Sequence, residues 1–212
     1  SERSRGLGDV YKRQIITSQV LNWKDQSLTM DIFAHGGSLF AVIYYFKEDL
    51  AEAIKHYDLS SADSFLNKLI IASLPIFLVG FIFRDFVSEN LRTLNTIAIS
   101  TILFGFILWG ANYFSKAHSE KKLVSVRDAF LIGLAQCFAL IPGASRSAVT
   151  IICALFLSYS RSVSSKFAFM LAIPTLGVIF ISELASISFS SFEEGWLNIF
   201  LITFFSFITS YA

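Results

Sequence analysis

Residues 93–115 run for 23 positions without a charged side chain, and residues 195–212 add another 18. A helix of about 20 residues crosses the ~30 Å hydrocarbon core of a bilayer, and an uncharged run of that length has no stable place on a water-facing surface. The composition agrees. Of 212 residues, 54% are hydrophobic, 23 are Phe and only 16% are charged, against about 25% in an ordinary soluble domain. Mean hydropathy is +0.62. A water-soluble globular protein, a disordered chain and a disulfide scaffold are all excluded. The net charge of +1 gives no electrostatic reason to expect nucleic acid as a partner. Cys137 and Cys153 both lie in apolar segments with no second Cys or His at ligand spacing, so they read as small core hydrophobes.

The apolar segments fall at 32–46, 69–83, 94–115, 129–157, 167–187 and 196–212. None alternates strictly, so helices rather than barrel strands are expected. The first two are short and would need tilt or neighbours to span. Residues 1–14 (SERSRGLGDVYKRQ) stand apart, with four Lys or Arg, two acids and no apolar period. They lack the apolar core of a signal peptide and read as a non-native leader. A single polytopic membrane domain is expected over 15–212.

The fourth segment is 29 residues long, yet Ile141–Pro142–Gly143 interrupts it and Arg146 sits near its middle. Proline removes a helical donor and glycine permits a reversal, which leaves 129–140 and 148–157 each too short to cross alone. This pattern predicts a broken, re-entrant hairpin, tolerated only where it lines a protein cavity. Loop charge tests the idea. If the segment returns to its own side, Lys and Arg divide nine against two between the two faces; if it crosses, they divide seven against four. The stronger asymmetry favours re-entry and puts loops 47–68, 116–128 and 158–166 together in the cytoplasm.

The chemistry concentrates in residues 141–150, IPGASRSAVT. Ser145 or Ser147 is placed to cap a helix starting near Ala148. A helix N-terminus favours an anion, and the guanidinium of Arg146 suits bidentate phosphate contact. Ser145, Ser147, Thr150 and, further along, Ser158 add hydroxyls, so the stretch reads as a phosphate cradle. The plainer alternative is that Ser145 only caps, and Arg146 pairs with a headgroup or an interfacial acid. An Arg at that depth costs roughly 2.5–3.5 kcal/mol on insertion scales, which argues for a role beyond capping.

IPGASRSAVT, preceded by DAFLIGLAQCFAL and followed by FAFMLAIP, resembles the undecaprenyl-pyrophosphate phosphatases, the bacitracin-resistance proteins of bacteria. Upstream, LNWKDQSLTMDIFAHGGSLFAVIYYFKEDL is similar to that family's first loop and helix, so the resemblance runs from about Ile15 to Ala212. It implies an all-α, multi-pass protein of the bacterial inner membrane, built of inverted repeats that each carry a re-entrant helix pair. The implied activity removes the terminal phosphate of the C55 isoprenyl pyrophosphate carrier, recycling it for peptidoglycan synthesis and conferring bacitracin resistance. Carried over by motif, Arg146 would bind the pyrophosphate, Ser145 and Thr150 would hydrogen-bond it, and Gly143 would let the loop approach it. Ser147 belongs to the same motif. The resemblance also implies a divalent cation, Mg²⁺ or Ca²⁺, and admits a homodimer.

Two departures from the family are visible. Ala148 stands where the family has Gly. The family's E-x-x-x-E motif and its Pro-x-Ser-Ser loop ending in His would precede Ile15, where residues 1–14 stand instead. The last apolar run also stops at Ala212 without the family's final helix. The expectation is therefore a piece of the family protein, poor as a catalyst by itself and with no identifiable metal ligands. Asp31, Asp128 and Glu183 lie at or near segment ends and read first as interfacial or loop-facing carboxylates, with Glu183, the one well inside its segment, the best spare acid; His35, one turn after Asp31, joins the candidate site, although helix–helix hydrogen bonding explains that pair as well as catalysis does. Whether Ser145 or water is the nucleophile stays open, as do a polyprenyl-phosphate transporter or flippase and a non-catalytic membrane subunit.

Overall fold

The computed structural model describes residues 28–55, 57, 63–91, 93–115, 123–186 and 196–211. Residues 1–14 lie outside them. The regular structure among the described residues is entirely helical: α1 (Leu28–Tyr45), α2 (Lys47–Lys55), α3 (Phe65–Phe86) continued by a π turn (Val87–Leu91), α4 (Leu94–Phe114), α5 (Val126–Gln136) tightening into a 3-10 turn (Cys137–Leu140), α6 (Arg146–Phe156), α7 (Arg161–Ser186) and α8 (Trp196–Tyr211). Three of these contain stretches long and apolar enough to cross a bilayer: Phe65–Phe83, Asn95–Phe114 and Arg161–Ser182. This is an all-α membrane protein.

The segment at 69–83 is not short after all. α3 starts four residues earlier and takes in Lys68, which is only 8% exposed and pairs with Asp63 at 3.2 Å. A paired lysine can enter the end of an apolar helix where a lone one would not. The charged helix α2 lies inside what reads from sequence as a plain loop.

The chain divides into two compact units, one of residues 1–48 and 175–212, the other of residues 49–174. In the first, α1 packs on α8 through small residues. A Cβ on Gly37 would fall on the carbonyl of Thr203 and lie 2.9 Å from the Ser206 Cβ, so the two backbones meet at the closest approach glycine permits. Beside that contact, the Ser206 hydroxyl donates to the Ala34 carbonyl at 2.5 Å, and the Ser38 hydroxyl lies 3.0 Å from Ser206 and 2.9 Å from Ser210.

In the second unit α3 packs on α5, and α4 on α6. Ala111, Ile152 and Leu155 form the buried seam of the latter pair, with Phe104, Ile107 and Leu108 around them. The other face of α4 turns Ile102, Phe106 and Trp109 outward, as lipid contact requires.

Segment 129–157 is a hairpin. α5 and α6 have 11 residues each, about 16 Å of helix, roughly half a bilayer core. Their outer ends are clasped: the Tyr159 phenol donates to Asp128 Oδ2 at 2.6 Å and accepts the Ser125 N–H at 3.3 Å. Burial, and then the bond to Asp128, push the phenol up from its ordinary pKa, so it stays a donor at every physiological pH. The segment thus ends where it began, as the loop charges require. A cavity of about 380 Å³ repeats the message, since it is lined by Asp49 and Asp63, by Leu123 and Val124, and by Val163 and Lys166. Each of the three loops assigned to one face contributes to that single cavity.

α6 ends with Ser158 at φ +66°, while the Tyr159 N–H reaches back to Ala154 at 3.0 Å and the Ser158 N–H to Leu155 at 2.9 Å. This left-handed cap normally takes glycine. Ser158→Gly is expected to relieve about 1 kcal/mol and raise the unfolding midpoint in detergent by about 3 °C. A lower midpoint would show that the serine hydroxyl contributes more than the backbone strain costs.

Candidate functional site

The site is built by the turn between α5 and α6. Ile141 N–H donates to Phe138 O at 3.0 Å and Ala144 N–H to Ile141 O at 3.1 Å, which closes the reversal around Pro142–Gly143. Gly143 has φ +99°, a backbone conformation L side chains rarely adopt. The space its side chain would fill holds the Ser100 hydroxyl, the Ile97 carbonyl and, at 2.9 Å, the Thr101 hydroxyl. The close approach at Gly143 is therefore to α4.

Ser100 and Thr101 were not singled out from sequence. Ser100 donates to the Pro142 carbonyl and Thr101 to the Gly143 carbonyl at 3.1 Å. Both carbonyls belong to irregular backbone outside any helix, and α4 supplies the donors that the turn's own backbone does not. The available signal was two adjacent hydroxyls inside an otherwise lipid-compatible run.

α6 starts at Arg146, two residues before the expected position, and this decides between the candidate caps. Ser145 is the N-cap and accepts the Ala148 N–H at 3.4 Å; Ser147 lies within the first turn, its hydroxyl 3.2 Å from that of Ser145. Arg146 is the first helical residue, so its guanidinium and the positive end of the helix dipole belong to the same turn. Thr150 is buried and points its hydroxyl at its own helix, toward the carbonyls of Arg146 at 3.1 Å and Ser147 at 2.9 Å. A phosphate oxygen needs a donor, and as placed Thr150's one proton is already engaged; it braces the turn.

The remaining candidates fall on other elements or at the far end of α6. Ser158 caps the opposite end of α6 and does not join the cradle, contrary to the sequence reading. Asp128 is likewise at the far end of the hairpin, where it serves the Tyr159 clasp. His35 lies half-buried on α1, in the unit of residues 1–48 and 175–212, beside the Gly36–Gly37 contact. The side chains of Asp31 and Glu183 lie outside those described. Among the described residues no group of three or more His, Cys, Asp or Glu could hold a metal ion. A divalent cation therefore has no ligand set in the described part of the chain.

What remains together is a tight turn, a capped helix N-terminus, an arginine and two hydroxyls, all from seven consecutive residues. A helix N-terminus favours an anion, and a guanidinium fork suits one of several oxygens. The Ser145 hydroxyl meets a backbone N–H and the Ser147 hydroxyl, neither of them a base.

Comparison with known proteins bears on the same residues. The family model described as bacitracin resistance protein BacA matches residues 13–212, which includes every element above. An undecaprenyl-diphosphatase of Alcanivorax borkumensis is 38% identical over 169 residues, covering 76% of this chain. The chain spans 64% of that relative's length. With a match extending over nearly all of the sequence, the chain belongs to the bacitracin resistance protein BacA family.

Proposed function

We propose that the protein to which this chain belongs hydrolyses undecaprenyl pyrophosphate to undecaprenyl phosphate and inorganic phosphate, as a multi-pass enzyme of the bacterial inner membrane. The observation that carries the reading is the turn at 141–147, in which Ser145 caps a helix whose first residue is Arg146, within an apolar hairpin. The name of the Alcanivorax relative supports the same substrate. In this role recycling of the carrier serves peptidoglycan synthesis, and a faster return of the monophosphate counters bacitracin.

In the reaction, a water oxygen bonds to the terminal phosphorus, the bridging P–O bond breaks, and lipid monophosphate leaves. The water proton passes to a base. Arg146 and the α6 N-terminus stabilise the charge that builds on the phosphoryl oxygens as the bridge breaks. The Ser145 hydroxyl, with a helix-capping bond and no base among its hydrogen-bond partners, fits a ligand better than a nucleophile. A divalent cation would supply further charge neutralisation, though among the described residues no group of three or more His, Cys, Asp or Glu could hold it.

The test is phosphate release from a C55 polyprenyl pyrophosphate in detergent, with Mg²⁺, with Ca²⁺ and with EDTA. It compares this chain, the chain joined to any upstream reading frame that carries E-x-x-x-E, and Arg146→Ala in the more active of the two. Release that disappears in Arg146→Ala is the expected result. Tight binding of the lipid without release in any form would replace hydrolysis with transport. Neither binding nor release would sink the reading altogether.

A further inference from the structure

Gln136, the last residue of α5, is 1% exposed, and neither its Nε2 nor its Oε1 has a hydrogen-bond partner among the described residues. An amide left so in an apolar interior is expensive, which makes it a pointer to something that completes it. The neighbour at its level supplies a second incomplete group. α3 contains Pro75, also buried, and a proline offers no N–H to the carbonyl one turn back, that of Ile71.

The register of the two helices sets these groups side by side. A Cβ on Gly133 would fall on the Ala72 carbonyl and lie 2.8 Å from its carbon, and a Cβ on Gly80 would lie 3.5 Å from Leu140 Cδ2. α3 and α5 therefore run in step, and three residues beyond Ala72 and Gly133 stand Pro75 and Gln136. Both lie at the depth of the Phe65–Phe83 span, where bulk water cannot reach.

We propose that the Gln136 carboxamide and the Ile71 carbonyl enclose one internal water molecule, which pins the last turn of α5 to α3 directly ahead of the anion-binding turn. The syn N–H of the amide donates to the water oxygen, one water hydrogen goes to Oε1, and the other goes to the Ile71 carbonyl. That gives the water three bonds, the usual number for a buried one. It gives a partner at once to both polar atoms of the amide and to the Ile71 carbonyl. Gln136 is then a structural anchor at the end of α5, after which the chain enters the 3-10 turn that leads to Pro142, Gly143 and Arg146. The inference stands apart from the phosphatase reading, since it concerns the free protein and no substrate.

Two measurements test it. A map of the purified protein fine enough to show waters should contain one within hydrogen-bonding distance of both Gln136 and the Ile71 oxygen. A direct amide–carbonyl bond, or no density there, would overturn the proposal. The second is a thermal-unfolding cycle in detergent. Gln136→Leu should lower the midpoint by about 3 °C in the wild-type background. In a Pro75→Ala background, where the substituted residue supplies the missing N–H to Ile71, it should lower it not at all. Equal shifts in both backgrounds, or a rise in the first, would mean that the amide is merely an unpaired group. Should Gln136→Leu fail to fold, Gln136→Asn, which withdraws the amide by one methylene, takes its place under the same criterion.

Discussion

Arg146→Ala will weaken binding of a polyprenyl pyrophosphate by about two to three orders of magnitude, the scale on which truncating one half of a desolvated charge pair is felt. Arg146→Lys will recover only part of this. A lysine restores the charge but not the planar fork that engages two phosphate oxygens, so a residual loss of about tenfold is expected. Titration of the detergent-solubilised chain, followed by calorimetry or by the ligand-induced rise in unfolding midpoint, reads both variants without depending on turnover. Because Arg146 opens α6 and Ser145 caps it, the loss should leave helix content unchanged. Undiminished affinity in Arg146→Ala would remove the turn from the binding site.

Gly143→Ala should be the most damaging methyl group that can be added to the chain near the site. At φ +99° an L side chain costs about 1–2 kcal/mol. The new Cβ would also meet the Ile97 carbonyl and the Ser100 hydroxyl of α4, overpacking worth roughly a further 1–3 kcal/mol. A fall of roughly 10 °C in the unfolding midpoint follows. Ser100→Ala should not rescue it, because Ile97 presents backbone that cannot turn aside and the Pro142 carbonyl loses its donor. An unchanged midpoint in Gly143→Ala would show that α4 and the turn are not in contact.

Much of the architecture could be read from residue order alone because a bilayer admits few solutions. Uncharged length located α3, α4 and α7, and Pro142–Gly143 located the hairpin. The division of Lys and Arg then chose re-entry, which the Tyr159–Asp128 clasp independently supports. What escaped were features set by partners distant in sequence. Ser100 looked like one more tolerated hydroxyl in a lipid-facing run until the Pro142 carbonyl, 42 residues on, was placed against it. The site shows the same boundary. Arg146 and the capping serine were visible because helix N-termini have local signatures. The orientation of Thr150 was not, since a threonine in a first turn can face a ligand or its own backbone, and only packing decides. Asp128 reads from sequence as an interfacial or loop-facing acid, and it stands at the outer end of the hairpin; the Tyr159 clasp it makes there was not legible, because that partner lies 31 residues on.

The hairpin also constrains how such a protein can be made. Neither 11-residue arm could partition into lipid on its own, and the irregular carbonyls at the tip would be stranded there without Ser100 and Thr101. Those donors lie on α4, and the groove for α5 lies on α3; both helices leave the ribosome before the hairpin does. Order of synthesis thus becomes a folding requirement: the receiving walls are laid down first, and the hairpin is delivered into a slot that already exists. A circular permutant that emitted residues 123–160 ahead of α3 and α4 would keep every contact of the finished fold yet have no route to them through the membrane.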